Sequence, residues 1–306
     1  MDSVPGRTCP LSYRYAPDAF AGPAQLRVDT LWIAGGLYGN RYALQALLEA
    51  YDADAGHKAL VFNGDFHWFD ADPAEFSLID EAVLGFRALR GNVETEIAVP
   101  GESAGCGCGY PDWVDDATVE HSNRIMERLR AAALRSGRDL GALAALPMHL
   151  LAEVGGERAG IVHGDAESLA GWKFSQEVLA TAAGHADAET QFERAGVRIF
   201  ASSHTCLPVV RRLTGGRILI NNGAAGMPNF AGGRFGLATR VSVSPSRDAL
   251  YGARCGKVYV EAIPLHYDAA AWERLFLELW PAGSGAHRSY FDRIANGPGY
   301  VLRDAA

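Results

Sequence analysis

Short apolar strands that each end in a glycine-rich polar turn are the feature that most constrains the fold of this 306-residue chain. The first strand pattern covers residues 27–33 and leads into a polar turn at 35–40, and the second covers 59–62 and leads into a turn at 63–67. A helical pattern follows each turn, and the second of these covers 73–84. Strands that alternate with helices predict crossover units and a largely parallel sheet, in which functional side chains gather at the carboxyl ends of the strands.

The pattern changes after a third polar turn, at 91–94. Residues 95–147 contain a helical pattern over 115–134, and we expect them to form a small helical cap insertion. Strand patterns return between 148 and 263, which predicts a second, mostly antiparallel sheet. Residues 1–26 are interpreted as an N-terminal extension, and the whole chain as a single α/β domain.

Composition argues against several classes of function. The net charge of −8 disfavours a broad nucleic-acid interface, although a small phosphate ester can still approach a bound cation. No apolar run approaches the roughly 18 residues needed to span a bilayer, so no membrane partner is expected. Because the N-terminus lacks the apolar core of a secretion signal, the expected location is the cytoplasm.

The cysteines predict reduced thiols, because their number is odd and no signal peptide is recognised. They are Cys9, Cys106, Cys108, Cys206 and Cys255. The spacing of Cys106 and Cys108 is too short for a structural zinc knuckle, so the loop over 101–111 is expected to be flexible with free thiols. The alternative is that this loop brings the thiolate of one of its cysteines into a functional site.

Four polar residues come directly after apolar strands, each beside a glycine or another small residue. They are Asp65, Asn92, His163 and His204. Carboxylate and amide oxygens together with two imidazoles suit a borderline divalent ion such as Mn, Fe or Zn. The alternative for either histidine taken alone is a core residue that is hydrogen-bonded to the backbone.

Six sequence blocks present these residues in a fixed order. They read Gly36-Leu37-Tyr38-Gly39-Asn40, Gly64-Asp65, Gly91-Asn92-Val93-Glu94, His163-Gly164-Asp165, Ser203-His204-Thr205-Cys206 and Asn221-Asn222-Gly223-Ala224. Over residues 27–230 the chain resembles the calcineurin-like metallophosphoesterases, especially their small bacterial branch of phosphodiesterases and diadenosine tetraphosphatase-like proteins. The resemblance implies two packed mixed β-sheets flanked by helices in a four-layer α/β/β/α sandwich.

The resemblance also implies catalytic roles. Asp65 would be the carboxylate that bridges two metal ions, and Asn92, His163 and His204 would complete the second metal site. In the family a metal-bound hydroxide attacks the phosphorus of a phosphate mono- or diester, and some family substrates are nucleotides.

Three further positions in the blocks are candidates for substrate binding. They are Asn40, Asp165 and Asn222. Asn40 could equally cap the helix that follows it, and Asp165 could orient a neighbouring histidine.

The family's first metal site is degenerate in this chain. Gly36, Tyr38 and Cys206 stand where the family has an aspartate and two histidines, so one metal site is expected and the second is uncertain. Tyr38 and Cys206 could be new ligands, or tyrosine could fill a metal-free pocket. His67 could also supply a ligand there, or lie in a packing turn.

These departures leave three hypotheses of function. The first is a metal-dependent phosphoesterase with reduced or altered activity on a small phosphate ester. The second is a catalytically silent relative that binds a nucleotide or a partner protein through the same pocket. The third is altered, redox-active metal chemistry at an iron ion ligated by Tyr38 or Cys206.

Overall fold

Two six-stranded mixed β-sheets lie face to face at the centre of the protein in the computed structural model, which describes residues 4–99 and 104–306. The strands are β1 (Leu26–Val28), β2 (Thr30–Ala34), β3 (Lys58–Asn63), β4 (Arg87–Leu89), β5 (His149–Val154), β6 (Glu157–Val162), β7 (Ile199–Ser202), β8 (Pro208–Leu213), β9 (Arg217–Asn222), β10 (Gly236–Ser242), β11 (Tyr251–Cys255) and β12 (Val258–Leu265). The first sheet has the order β11-β12-β10-β2-β3-β4, and the second has the order β1-β5-β6-β7-β9-β8. Apolar side chains of both sheets, such as Val61 and Ile161, are buried together between them.

Helices cover both outer faces of this pair of sheets. They are α1 (Arg41–Ala53), α2 (Pro73–Leu84), α3 (Asn92–Ala98), α4 (Asp116–Ser136), α5 (Leu140–Ala144), α6 (Gln176–Leu179), α7 (Ala182–Ala195), α8 (Ala269–Leu279), α9 (Gly285–Asn296) and α10 (Leu302–Ala305). Apolar residues of α1, α2, α4, α8 and α9 are buried on the first sheet. On the second sheet, Phe192 of α7 packs against Phe200 of β7. The four-layer α/β/β/α architecture is therefore confirmed.

Local capping explains where the helices after β2 and β3 begin. Asn40 precedes α1, and its Oδ1 accepts hydrogen bonds from the backbone N–H groups of Tyr42 and Ala43. Asp72 caps α2 in the same way, and Pro73 occupies the first helical position, where a backbone N–H is not needed. The helix predicted over 73–84 is therefore observed with these bounds.

Parallel pairing brings several strand ends to the same edge. Strands β2, β3 and β4 are parallel neighbours in the first sheet, as the crossover pattern predicts. In the second sheet β6 and β7 are also parallel neighbours. Side chains that follow β3, β4, β6 and β7 can therefore meet.

The prediction of a second, mostly antiparallel sheet from 148–263 is wrong. Strands β5 to β9 lie in the second sheet together with β1, which pairs with β5, whereas β10 joins the first sheet antiparallel to β2. Of the five strand pairs described in the second sheet, three are parallel. The strand predicted over 27–33 is also interrupted at Asp29, so that β1 and β2 belong to different sheets. Apolar patterns identify strands, but they do not identify the partners of each strand.

The segment predicted as a cap, 95–147, supplies α4, whose apolar residues are buried with those of α2 and α9. Residues 101–103 of the loop predicted over 101–111 lie outside the described residues. Within the predicted extension, 1–26, Tyr13 and Phe20 are buried, so the described part of it is packed onto the domain. No described helix is long and apolar enough to cross a bilayer.

Candidate metal centre

The four polar residues predicted as metal ligands lie together after four different strands. Asp65 follows β3, Asn92 begins α3 after β4, His163 follows β6, and His204 follows β7. The most exposed of them retains only 5% of its accessible surface. Four separate segments of the chain thus contribute one buried polar cluster.

The imidazole of His163 lies at the centre of this cluster. Its Nε2 is 3.3 Å from Oδ2 of Asp65, 3.3 Å from Oδ1 of Asn92 and 3.2 Å from Nδ1 of His204. Ligand atoms of Asp65, His163 and His204 all lie within 4.8 Å of one another. These separations are those of atoms that share one coordination sphere, in which each ligand lies about 2.0–2.2 Å from the metal.

Hydrogen bonds at the far side of three of the ligands orient a ligand atom of each into the cluster. His163 Nδ1 lies 2.8 Å from the backbone carbonyl of Asn63, and His204 Nε2 lies 2.9 Å from that of Cys108. A carbonyl oxygen only accepts, so each of these ring nitrogens carries a proton, and the other nitrogen of each ring faces into the cluster. Asn92 Nδ2 donates to the backbone carbonyl of Cys106 at 2.9 Å, which leaves Oδ1 facing inward.

Four atoms that carry lone pairs therefore face one another, and no other hydrogen-bond donor group of the described residues lies among them. Such an arrangement is unfavourable unless a cation, or a proton on His163, occupies the centre. Two imidazole nitrogens, one carboxylate oxygen and one amide oxygen match the mixed nitrogen and oxygen ligands of Mn, Fe or Zn sites. The residues present therefore fit a divalent metal ion.

Glycines beside the ligands permit this close approach. A Cβ atom at Gly64 would lie 2.6 Å from Nδ1 of His163, and one at Gly91 would lie 2.2 Å from Oδ1 of Asp65. No larger residue fits at either position without displacing a ligand.

The electrostatics favour the metal-binding protonation states of His204 and Asp65. Burial, reinforced by His163, lowers the pKa of His204 to about 3, so its imidazole is neutral at physiological pH. Burial opposes ionisation of Asp65, but the adjacent His163 outweighs it and lowers the pKa of the carboxyl. Burial likewise opposes protonation of His163, but the Asp65 charge raises its pKa. Binding of a cation would therefore compete with protonation of His163.

Cys106 and Cys108 form a disulfide, which corrects the prediction of a flexible loop with free thiols. Both residues are buried, and Cys108 lines the cavity next to the cluster. The glycine between them has a φ of +67°, which lets the chain curl so that two cysteines only two positions apart meet. A cysteine count gives no information about such local geometry.

Glu94, the last residue of the Gly91-Asn92-Val93-Glu94 block, supports the turn that carries Asp65, a role that sequence patterns do not indicate. Its carboxylate accepts four backbone hydrogen bonds, from the N–H groups of Asp65, Phe66, His67 and Gly91. Asp65 has a φ of +51°, a left-handed conformation that costs a non-glycine residue about 1–3 kcal/mol. Glu94 holds this turn in place and thereby fixes Asp65.

The degenerate first site is filled by side chains. Tyr38 Oη lies 2.9 Å from Sγ of Cys206, and a Cβ atom at Gly36 would lie 2.9 Å from the Tyr38 ring. Burial raises the pKa of Tyr38 well above its usual value and also raises the pKa of Cys206. The Tyr38 ring thus covers Gly36 and its hydroxyl is hydrogen-bonded to Cys206, which favours the filled-pocket alternative.

His67 belongs to a separate buried charge network. Its ring stacks on Phe76 with centroids 3.9 Å apart, and its Nδ1 lies 2.5 Å from Oδ2 of Asp70. Nε2 lies 3.7 Å from Oδ1 of Asp80, which also accepts from Arg138 through its other oxygen. The packing-turn alternative for His67 is therefore favoured over a ligand for the first site.

This network predicts a stability that falls at alkaline pH. Burial opposes the charge on His67, but the carboxylates of Asp70 and Asp80 outweigh burial and raise its pKa to about 9 from a usual 6.5. A raised pKa contributes stability that is complete below pH 6.5 and is lost as the pH rises through 9. Urea unfolding should show a loss of about 3 kcal/mol between pH 6 and pH 9.5. A His67→Gln variant should be less stable at pH 6 and should lack most of this pH dependence; an unchanged dependence would contradict the assignment.

The three candidate substrate-binding residues are engaged with the backbone. Asn40 caps α1 and also donates to the carbonyl of Gly226, while Asn222 donates to the carbonyls of Gly35 and Leu237. These contacts support the capping alternative for Asn40. A substrate role for either residue stays a prediction.

Asp165 organises the turn after β6. Its carboxylate accepts from the backbone N–H groups of Glu167, Ser168 and Lys173, and burial raises its pKa to about 6. The interpretation that Asp165 orients a histidine is wrong for His163, because the carbonyl of Asn63 performs that role.

A small cavity of about 40 Å³ opens beside the cluster. Its lining combines the ligands Asp65, Asn92 and His204 with a ring of aromatic side chains, Tyr38, Trp68, Tyr110, Trp172 and Tyr290. Trp172 contacts His204 edge to face with centroids 5.4 Å apart, and its Nε1 donates to the carbonyl of Cys108. The cavity holds only a few water-sized groups, so larger parts of a ligand must lie outside it.

No protein-family model and no curated protein sequence match this chain. Its structure is similar to that of a metallophosphoesterase from Sphaerobacter thermophilus, with a TM-score of 0.56 and 14% sequence identity, over 88% of this chain and 100% of that chain. It is also similar to a hypothetical protein from Pyrococcus horikoshii OT3, with a TM-score of 0.58 and 16% identity, over 89% of this chain and 99% of that chain. The chain therefore has the fold of the calcineurin-like metallophosphoesterases, as the sequence blocks predict.

Proposed function

We propose that this chain is a phosphoester hydrolase that works with one divalent metal ion held by Asp65, Asn92, His163 and His204. The observation that carries the proposal is the convergence of four lone-pair donors on one buried point. The metallophosphoesterase fold of the chain supports the reaction class.

The protein's part in this reaction is to bind and orient. A divalent ion at the cluster would supply the charge that lowers the pKa of water and stabilises the phosphoryl oxygens. Asp65 supplies the one full negative charge among the four ligands, and Glu94 fixes its position. The carbonyls of Cys106 and Cys108 fix Asn92 and His204, so little reorganisation is needed when the ion binds.

A single ion is proposed because side chains occupy the other position. Tyr38 covers Gly36, and its hydroxyl is hydrogen-bonded to Cys206. The clamp of two metals on the attacking and leaving oxygens is then lost, so turnover of generic substrates should be weak. We expect purified protein to bind one Mn, Zn or Fe ion per chain.

The volume and the lining of the cavity restrict the size and the chemical character of the substrate. Only a phosphoryl group fits beside the cluster, and the ester substituents must lie against the aromatic side chains at its mouth, such as Trp172 and Tyr110. An aromatic lining favours flat apolar substituents, whether aryl groups or nucleobases, on either a monoester or a diester.

Hydrolysis of aryl phosphates tests the proposal. Metal-free protein should be inactive, and addition of Mn, Zn or Fe should restore slow hydrolysis of a mono-aryl or bis-aryl phosphate. Protein that binds one metal ion but hydrolyses neither ester with any of the three ions would contradict the proposed activity. Metal-free protein that still binds a nucleotide would instead favour a catalytically silent binding protein.

A further inference from the structure

We infer that the Cys106–Cys108 disulfide is a redox site whose state sets how tightly the metal centre binds its ion. The inference rests on the proposed metal centre, and it goes beyond it by assigning a redox role to a loop that contributes no metal ligand.

The backbone of both cysteines orients two of the four ligands. The carbonyl of Cys106 accepts from Asn92 Nδ2 at 2.9 Å, and the carbonyl of Cys108 accepts from His204 Nε2 at 2.9 Å. Trp172 Nε1 donates to the same Cys108 carbonyl at 3.0 Å. Partners of this kind fix the rotamer and the ring tautomer of a ligand, and their loss usually weakens metal affinity about 10- to 100-fold.

The loop over 105–109, which carries these carbonyls, is rich in glycine and therefore has high conformational freedom before folding. Gly105, Gly107 and Gly109 alternate with the two cysteines, and their φ values are +69°, +67° and +59°. Glycine loses more conformational freedom on folding than any other residue, so three glycines in five residues are costly to order. The disulfide joins Cys106 to Cys108, so it restrains the glycine between them, Gly107, and holds both carbonyls in place.

The loop also fits closely against the ligand that it orients. A Cβ atom at Gly107 would lie 2.5 Å from Oη of Tyr13 and 3.3 Å from Cβ of Asn92. The backbone N–H of Cys106 is anchored at 2.9 Å to Oδ1 of Asn123 on α4. A change in the path of the backbone between Cys106 and Cys108 would therefore be transmitted to Asn92.

The disulfide can be reached from the cavity. Cys108 lines the cavity beside Asn92, with its Sγ 3.6 Å from Asn92 Nδ2, whereas Cys106 is fully buried. A thiolate of a small dithiol attacks Cys108 Sγ, the disulfide bond breaks, and the Cys106 sulfur leaves with the electron pair and takes up a proton. The second thiol of the reductant then attacks the mixed disulfide, closes the reductant's own disulfide and releases Cys108, which is protonated. The protein gains two electrons and two protons, and the dithiol is oxidised.

Metal titration of the full chain in both redox states tests the inference. Protein stripped by a chelator is either kept oxidised or reduced with dithiothreitol, which is then removed under nitrogen, and Mn²⁺ affinity is measured by calorimetry. Mn²⁺ is chosen because it has little preference for thiolates. Alkylation and mass spectrometry count the thiols in each sample, and near-ultraviolet circular dichroism reports whether the reduced protein keeps its packing.

We expect the oxidised protein to bind Mn²⁺ at least tenfold more tightly than the reduced protein. A Cys106→Ser/Cys108→Ser variant should bind like reduced protein under both conditions, and a Cys9→Ser variant, altered away from the cluster, should respond like wild type. Equal affinity in both states, or tighter binding after reduction, would overturn the inference while leaving the metal centre in place. Failure of both states to bind Mn²⁺, Zn²⁺ or Fe²⁺ would overturn the metal centre and, with it, the inference.

Discussion

Replacing Asp65 with asparagine should reduce metal affinity by more than about 100-fold and abolish phosphoester hydrolysis. The substitution keeps the shape of the side chain, so the hydrogen bond from the backbone N–H of Val93 can persist. It removes the only full negative charge among the four ligands, in a site where burial leaves little solvent to compensate. Affinity is measured by titration with Mn²⁺ or Zn²⁺, and hydrolysis with the better aryl phosphate.

An Asp52→Asn variant is the matched control, because it makes the same chemical change at an exposed position on α1. It should bind metal and hydrolyse substrate like wild type. If the Asp65→Asn protein is folded, binds metal with wild-type affinity and retains activity, Asp65 is not a metal ligand.

Replacing Glu94 with glutamine should destabilise the protein by about 3 kcal/mol and also weaken metal binding. Glu94 Oε2 accepts from the N–H groups of Asp65 and Gly91, and Oε1 accepts from those of Phe66 and His67. The amide group of glutamine would face two of these donors, and each buried donor left without an acceptor costs about 1–3 kcal/mol. Because the Asp65 turn then loses its support, we expect at least tenfold weaker metal affinity as well. Urea unfolding and metal titration measure the two effects.

Glu127→Gln on the exposed side of α4 controls for the change of charge. It should alter stability by less than about 0.5 kcal/mol. Wild-type metal affinity in Glu94→Gln, even with reduced stability, would show that Glu94 supports the fold but does not position Asp65.

The sequence predicts the ligand cluster well because parallel crossovers constrain it. A residue that follows a buried strand can only lie at the carboxyl end of that strand, and parallel pairing brings such ends together. Asp65 and Asn92 follow adjacent strands of one sheet, and His163 and His204 follow adjacent strands of the other. Their meeting across the two sheets was implied by the family blocks alone, because apolar patterns do not show how sheets pack.

Strand partners and backbone carbonyls were not predictable. Assignment of β10 to the first sheet depends on contacts between residues about 200 positions apart, which strand propensity does not encode. The roles of Cys106 and Cys108 arise from their backbone carbonyls. Every residue has a backbone carbonyl, so residue identity does not indicate which carbonyls contact a ligand. The five-residue alternation of glycine and cysteine over 105–109 was the one signal of a special backbone path there.

Crystals of the oxidised protein grown with Mn²⁺, examined by anomalous scattering, test the central claim most directly. We expect one strong peak per chain, about 2.0–2.3 Å from Oδ2 of Asp65, Oδ1 of Asn92, Nε2 of His163 and Nδ1 of His204. A chain with no peak among these atoms, or with its peak between Tyr38 and Cys206, would contradict the account.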